Sequence, residues 1–204
     1  RCRPDVVAVQ ELDSATRRAQ GRYVLGELAQ AVGMHATYAA AIPFDGGKYG
    51  IGLLSREKPL AVRRVALPGR EEKRTFLLVE FPRYAVACSH FSLTEADRLA
   101  SLPFVLSLTG EVGNKAVFVA GDWNDEPGSA FVDSVRRHFT LLTPDEGKSY
   151  PADVPERCLD YIAVDRAHAP AWRCVSACTV AAPSASDHRP KMVVLVPRRS
   201  GADD

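Results

Sequence analysis

Long apolar runs are missing from this chain. No stretch reaches the roughly 20 consecutive apolar residues that a helix needs to cross a bilayer, so no transmembrane segment is expected; the compartment stays open. Charge imbalance is missing too, since 26 Lys and Arg stand against 25 Asp and Glu. A dedicated nucleic-acid face usually announces itself as basic excess, and composition offers none. Cysteine is scarce: the five, at positions 2, 88, 158, 174 and 178, lack the CxxC-type spacing of a zinc site. They are expected as buried free thiols, with a disulfide through Cys174 or Cys178 as the alternative. Repeats, linkers and low-complexity segments are absent, which predicts one domain over residues 1–197 and a polar, disordered tail over 198–204. The chain opens on Arg1 rather than Met, and a preceding segment is expected.

What is present is a succession of short β-branched runs. "PDVVAVQE" has no polar alternation and predicts a strand covered on both faces. A helix should follow, capped by Asp13 or Ser14, with Leu25, Leu28 and Val32 on its buried face and Gly33 at its end. "ATYAAAI", "GIGLLS", "PLAVRRVAL", "RTFLLVEF" and "YAVACSHF" read as successive strands in meanders. A second helix starts at Thr94, with Pro103 expected to kink or break it, and a third carries Phe131, Val135 and Phe139 on one stripe. "KAVFVAGD", "CLDYIAVD", "AWRCVSACTV" and "KMVVLVP" complete nine to eleven strands. Runs of strands broken by three helices predict an α/β arrangement of stacked mixed sheets with helices outside.

Five segments place polar chemistry at the ends of these strands. "VVAVQELD" ends in Glu11, "ACSHFSL" in His90, and "FVAGDWNDEPGS" in Asp122 and Asn124. "CLDYIAVD" sets Asp160 among apolar neighbours, where a carboxylate needs a partner to offset desolvation. "SASDHRP" places Asp187 and His188 just before the last strand. Taken singly, each has an ordinary structural explanation as a turn, a rim carboxylate or a strand-end histidine. Brought together, four carboxylates require a cation, and oxygen donors without cysteine select magnesium, manganese or calcium over zinc. His35, His138 and His168 read as surface or turn residues, Trp123 as packing beneath the site, and Trp172 as core or rim. The pairs Arg63-Arg64 and Arg136-Arg137 and the group Arg70, Lys73 and Arg74 read as a solvated face.

In this order, "QE", "SH", "GDWND", "LDYI" and "SDH" resemble the endonuclease/exonuclease/phosphatase superfamily, to which pancreatic deoxyribonuclease belongs. "KYGIGLLSR" and "HFSLTEADR", with Arg98, are similar to further family segments. The resemblance implies a deoxyribonuclease-I-like four-layer α/β-sandwich, two facing mixed sheets flanked by helices. It implies a metal set of Glu11, Asp122, Asn124 and Asp187 holding Mg2+ or Mn2+. It implies catalytic roles for His188 (general base or phosphate contact), Asp160 (its hydrogen-bond partner), Asp122 and Asn124 (orienting water and phosphate) and a protonated His90 (contacting phosphoryl oxygens). The implied activity is metal-dependent hydrolysis of phosphodiester or phosphomonoester bonds by in-line attack of water. A DNA endonuclease or exonuclease is the alternative, and an inactive module that binds phosphoryl ligands the further one. The expected partner is a phosphoester, small or nucleotide-like, with nucleic acid possible; a monomer is expected. Two departures stand out. The family's first strand, with its asparagine, would lie before "CRPDVVAVQE", and the arginine usual two residues before the aspartate of "LDYI" is Cys158 here, with Arg157 one place earlier.

Overall fold

Period-two burial organises the strands of this protein, whose computed structural model describes residues 2–198. The tail reading for residues 199–204 lies outside the described residues. Strand β5 (Arg74–Glu80) is buried along its whole length, yet its side chains serve two cores. Phe76 and Leu78 join one cluster and Leu77 and Val79 another, as alternation across a pleat requires. The same division holds along β6 (Tyr84–His90) and β7 (Ala116–Asp122). Phe76 is wholly buried, and truncating such a phenylalanine to alanine costs about 3–5 kcal/mol.

These three strands centre a six-stranded sheet ordered β4 (Ala61–Leu67), β5, β6, β7, β9 (Asp160–Asp165), β8 (Phe139–Leu141). It is mixed: β6 and β7 run parallel, and every other neighbouring pair is antiparallel. Helices α2 (Glu95–Gly110) and α3 (Ala130–Arg136) cover its outer face, where Val105, Phe131 and Val135 are buried. Its inner face meets a layer made of two antiparallel pieces. One is β1 (Val6–Ser14), β3 (Gly47–Ser55) and β2 (His35–Phe44), in the order β1-β3-β2; the other is the hairpin of β10 (Trp172–Thr179) and β11 (Lys191–Pro197). Helix α1 (Val24–Val32) closes the far side through Leu25 and Ala29. The order is therefore helix, sheet, sheet, helix, and the eleven strands and three α-helices among the described residues meet the expected count.

Several local expectations need correction. β1 does place Val6 and Ala8 in the inter-sheet core and Val7 and Val9 under α1, but all four stay partly exposed. Asp13 and Ser14 do not cap α1, because pairing with Tyr49 and Lys48 keeps them in β1. The helix starts ten residues later behind Tyr23, so its buried face is Leu25 and Ala29, while Leu28 and Val32 are exposed. Gly33 ends it in the left-handed conformation as foreseen. Pro103 neither breaks nor ends α2, whose Leu99, Leu102 and Leu106 pack on the core around it. Phe139 begins β8 instead of extending α3. All five cysteines are free, but only Cys88 and Cys158 are buried. Trp172 is half-buried against Phe118 and Tyr84. No helix among the described residues is long and apolar enough to cross a membrane.

Candidate active site

The site starts from strand register. His90 at the end of β6 is the register partner of Asp122 on β7, and Asp122 is the partner of Asp160 on β9. Each shares the inner-face parity of its strand, following Cys88, Ala120 and preceding Ile162, so three polar side chains line up at one rim of the inter-sheet core. β6 and β7 approach closely there: a Cβ on Gly121 would lie 2.0 Å from the Ser89 carbonyl oxygen. Only glycine permits that spacing next to Asp122.

His188 reaches the same rim from the loop before β11. Its Nδ1 bonds Asp160 Oδ2 at 2.8 Å, and its Nε2 lies 4.0 Å from Asp122 Oδ2. His90 Nε2 lies 3.5 Å from that same oxygen. One ligand atom each from Asp122, Asp160 and His188 fall within 4.8 Å of one another. Trp123, 1% exposed, stacks on Tyr161 at 4.5 Å in the outer-face core behind these residues, not along the cavity.

Two backbone distortions complete the arrangement. β1 carries an extra residue between Val9 and Leu12, and within it Glu11 has φ 60. Such a bulge re-aims a side chain at the end of a strand. Asn124 has φ 52. Its backbone N–H donates to Asp122 Oδ1 at 2.8 Å and its side-chain amide to the Phe91 carbonyl at 2.9 Å. Strained non-glycine positions persist where the surroundings fix them, and here both border the same cavity.

That cavity has a volume of about 300 Å³. Glu11, His90, Asp122, Asn124, Asp187 and His188 all line it, while Asp160 stands behind His188. Residues distant in sequence thus converge as the five motifs suggest. The tight cluster is Asp122, Asp160 and His188, whereas Glu11 and Asp187 face the cavity from its exposed side.

Protonation states follow from burial and neighbours. Burial first, then the charge of Asp160, pushes Asp122 up to about 7. Burial alone would lower His188, but its bond to Asp160 and the charges of Asp160, Asp122 and Asp187 lift it to about 9. Burial, then the charges of Arg74 and His188, pulls His90 down to about 3. Burial thus favours the neutral imidazole at His90, a form that offers a single N–H.

Tyr49, Glu72, Arg74 and Tyr150 line the cavity without having been foreseen, as do the apolar Leu93 and Leu159. Arg74, read as part of a solvated face, is only 6% exposed. Its guanidinium pairs with Glu72 at 3.1 Å while its Nε has no partner among the described residues. The available signal was its place as first residue of an apolar strand, where a charge faces the rim. Tyr150 packs its ring on His188 at 4.8 Å. Arg157, noted as displaced by one position, also lines the cavity and pairs with Glu126 at 2.9 Å. Arg98 stays outside but ties the site loops, donating to the Ser92 and Leu93 carbonyls and to Asp125 at 2.8–2.9 Å. His35 and His138 are exposed and His168 bonds Asp165 at 2.6 Å, away from the site.

Residues 1–188 match the endonuclease/exonuclease/phosphatase family. No curated protein matches the chain. Among solved structures, a conserved protein of unknown function from Enterococcus faecalis V583 is similar at 17% identity and TM-score 0.75, over 95% of this chain and 86% of that one. The mannosyl-6-phosphatase Bt3783 of Bacteroides thetaiotaomicron is similar at 16% identity and TM-score 0.70, over 94% and 85%. ANGEL2, a 2',3'-cyclic phosphatase, is similar at 14% identity and TM-score 0.72, over 94% and 81%. At these identities the likeness is one of fold.

Proposed function

Because the chain belongs to the endonuclease/exonuclease/phosphatase family, we propose that it is a metal-dependent phosphohydrolase acting on small phosphoesters. The observation that carries this reading is the register line His90–Asp122–Asp160, closed by His188, at the wall of one polar cavity. The donor set fits a hard cation. Asp122 and Asp160 stand side by side, and Glu11 faces the cavity without a hydrogen bond or ion pair among the described residues. Oxygen donors with no thiol suit magnesium or manganese. Glu11, Asp122, Asn124 and Asp187 would hold it, and when bound it supplies Lewis-acid charge to the phosphoryl oxygens.

The remaining work belongs to side chains. Asp122, between His90 and Asp160 in the register line, accepts a proton from the attacking water. His188, raised to about 9 and held by Asp160, keeps its proton and donates Nε2–H toward the phosphoryl or leaving oxygen. It thus acts as acid and phosphate contact, with the base role falling to Asp122. Neutral His90 adds one N–H, and buried Arg74 sets a permanent positive charge behind the phosphate.

The charge layout favours a small substrate over a polynucleotide. Several basic residues that might build a groove are already paired, Arg63 with Glu80, Arg70 with Asp97 and Arg136 with Asp145, which leaves Arg64, Lys73 and Arg137 of those groups without an ion pair among the described residues. Backbone-tracking nucleic-acid sites need unpaired cations facing the solvent. A cavity of about 300 Å³ suits a phosphoryl group on a modest body, and the phosphatase names of two structural neighbours agree. The test is hydrolysis of p-nitrophenyl phosphate and bis-p-nitrophenyl phosphate with magnesium, manganese or EDTA. Metal-dependent turnover abolished by His188→Ala is expected. Phosphate binding without turnover would leave an inert module, and efficient nicking of supercoiled plasmid would replace the small-substrate reading with a nuclease.

A further inference from the structure

We propose that Arg157 reads a second anionic group on the substrate, so that the preferred substrate is a phosphoester carrying another negative charge on its body. This rests on the cavity being a phosphoester-hydrolysing site, and names the substrate class more closely.

Two arginines line the cavity, and they differ in kind. Arg74 is buried and tied to Glu72, which makes it a fixed part of the wall. Arg157 is anchored to the loop through its backbone. Its N–H donates to the Tyr150 carbonyl at 2.8 Å, and its carbonyl accepts from Ser149 and Tyr150 at 2.8 and 3.1 Å. The next two residues, Cys158 and Leu159, are buried. The chain therefore delivers this side chain to the mouth of the cavity in a set position. The guanidinium itself makes one contact, from Nε to Glu126 Oε1, and neither terminal nitrogen bonds the protein among the described residues. The planar fork is left open, and that geometry fits a carboxylate or phosphate through two parallel hydrogen bonds.

Glu126 is the competitor for this fork. The two side chains are 49% and 48% exposed, and a pair so solvated contributes little. An incoming anion can take the guanidinium at little cost, and Glu126 then turns to water. A neutral substrate body gains nothing from the exchange. The scissile phosphoryl group belongs at Asp122, His188 and Arg74, so a charge met by Arg157 sits on another part of the molecule.

Turnover of phenyl phosphate, 4-carboxyphenyl phosphate and a 5'-phosphorylated dinucleotide by the full chain tests this. For each protein the KM ratio of 4-carboxyphenyl phosphate to phenyl phosphate is compared. Arg157→Gln should raise that ratio about ten-fold, Arg157→Lys should raise it less, and Glu126→Gln should lower it by removing the rival carboxylate. Ratios that do not move in Arg157→Gln, or that move alike in Glu126→Gln and Arg157→Gln, overturn the proposal. A change confined to the dinucleotide also overturns it as stated, assigning Arg157 to the neighbouring phosphate of a nucleic acid. Absence of metal-dependent turnover with all three substrates in the unaltered protein would instead defeat the hydrolase reading itself.

Discussion

Nδ1 of His188 lies 2.8 Å from Oδ2 of Asp160, joining residues 28 positions apart across the mouth of the inter-sheet core. The contact fixes both the orientation of the ring and its charge, since Asp160 is the main reason that His188 is lifted to about 9 against the pull of burial. Asp160→Asn keeps the shape but cannot stabilise an imidazolium. Loss of a positioned proton donor typically costs 10²–10⁴-fold in rate, so kcat on p-nitrophenyl phosphate should fall by about that factor, with a smaller change in KM. The effect on stability has a definite sign. A histidine that binds its proton more tightly folded than unfolded contributes fully below its ordinary pKa of 6.5 and loses that contribution as pH rises through about 9. Urea midpoints of the unaltered protein and Asp160→Asn should differ most near pH 6 and converge above pH 9. A gap of constant width would exclude the pairing as the cause.

Arg98 and Asp125 form a second, deeper pair, with side chains 7% and 13% exposed. Arg98 sits on α2 and binds the carbonyls of the loop after His90, while Asp125 follows Asn124, so one guanidinium holds two site loops together. Arg98→Ala strands a buried carboxylate and two backbone carbonyls, those of Ser92 and Leu93. Breaking such a pair from one side costs about 3–5 kcal/mol, readable as a lower urea midpoint at unchanged slope. Asp125→Asn, which keeps a hydrogen-bond acceptor, should cost less. Equal losses for the two variants would argue against a charge-assisted clamp.

How far the sequence announces this molecule depends on what each residue answers to. Strand-end motifs are legible because Glu11 and Asp122 follow, and Asp160 precedes, apolar runs whose period is set by the cores themselves. The convergence of His90, Asp122 and Asp160 requires only that β6, β7 and β9 be neighbours in register, while Glu11 comes from β1 in the facing layer. Arg74 was hidden in a basic run because its exposure depends on how the loop before β5 folds back, with Glu71 bonding Ser92 and Leu93 and Arg70 bonding Asp97. Those are contacts of 20 or more positions, invisible to local pattern. The start of α1 was misplaced for a related reason: cap chemistry at Asp13 and Ser14 was outweighed by ladder pairing with β3. Pro103 survives inside α2 because packing of the flanking leucines outweighs one lost backbone bond.

Glu80, at the far end of β5, predicts an acid limit to stability. Its carboxylate bonds Arg63 and Lys115, and the Arg63 hydrogen bond holds its pKa below the ordinary carboxylate range. It binds its proton less tightly folded than unfolded, so its contribution is present above the ordinary carboxylate pKa and is lost as pH falls through the folded value. Glu80→Gln should lower the thermal midpoint at pH 7 and lose less than the unaltered protein between pH 5 and pH 3. Parallel acid profiles would assign the acid sensitivity elsewhere.

The crowding of Asp122 and Asp160 gives the clearest prediction about the cation. With no cation bound, Asp122 is held near 7 by burial and by its neighbour's charge, so above that pH its ionised form works against folding. Asp122→Asn removes the charge while its side-chain oxygen can still accept from the Asn124 N–H. In EDTA at pH 8 this variant should therefore melt above the unaltered protein, though it is inactive. Magnesium or manganese reverses the ranking. A ligand at 100 times its Kd adds about 2.7 kcal/mol to the folded state, which at about 2–4 °C per kcal/mol for a chain of this size raises Tm by about 5–10 °C. The unaltered protein should show that rise, reversed by EDTA, and Asp122→Asn should show little of it. An equal rise in both proteins would place the ion away from Asp122, and a variant that melts lower in EDTA would mean that the carboxylate stabilises the fold rather than waiting for a cation.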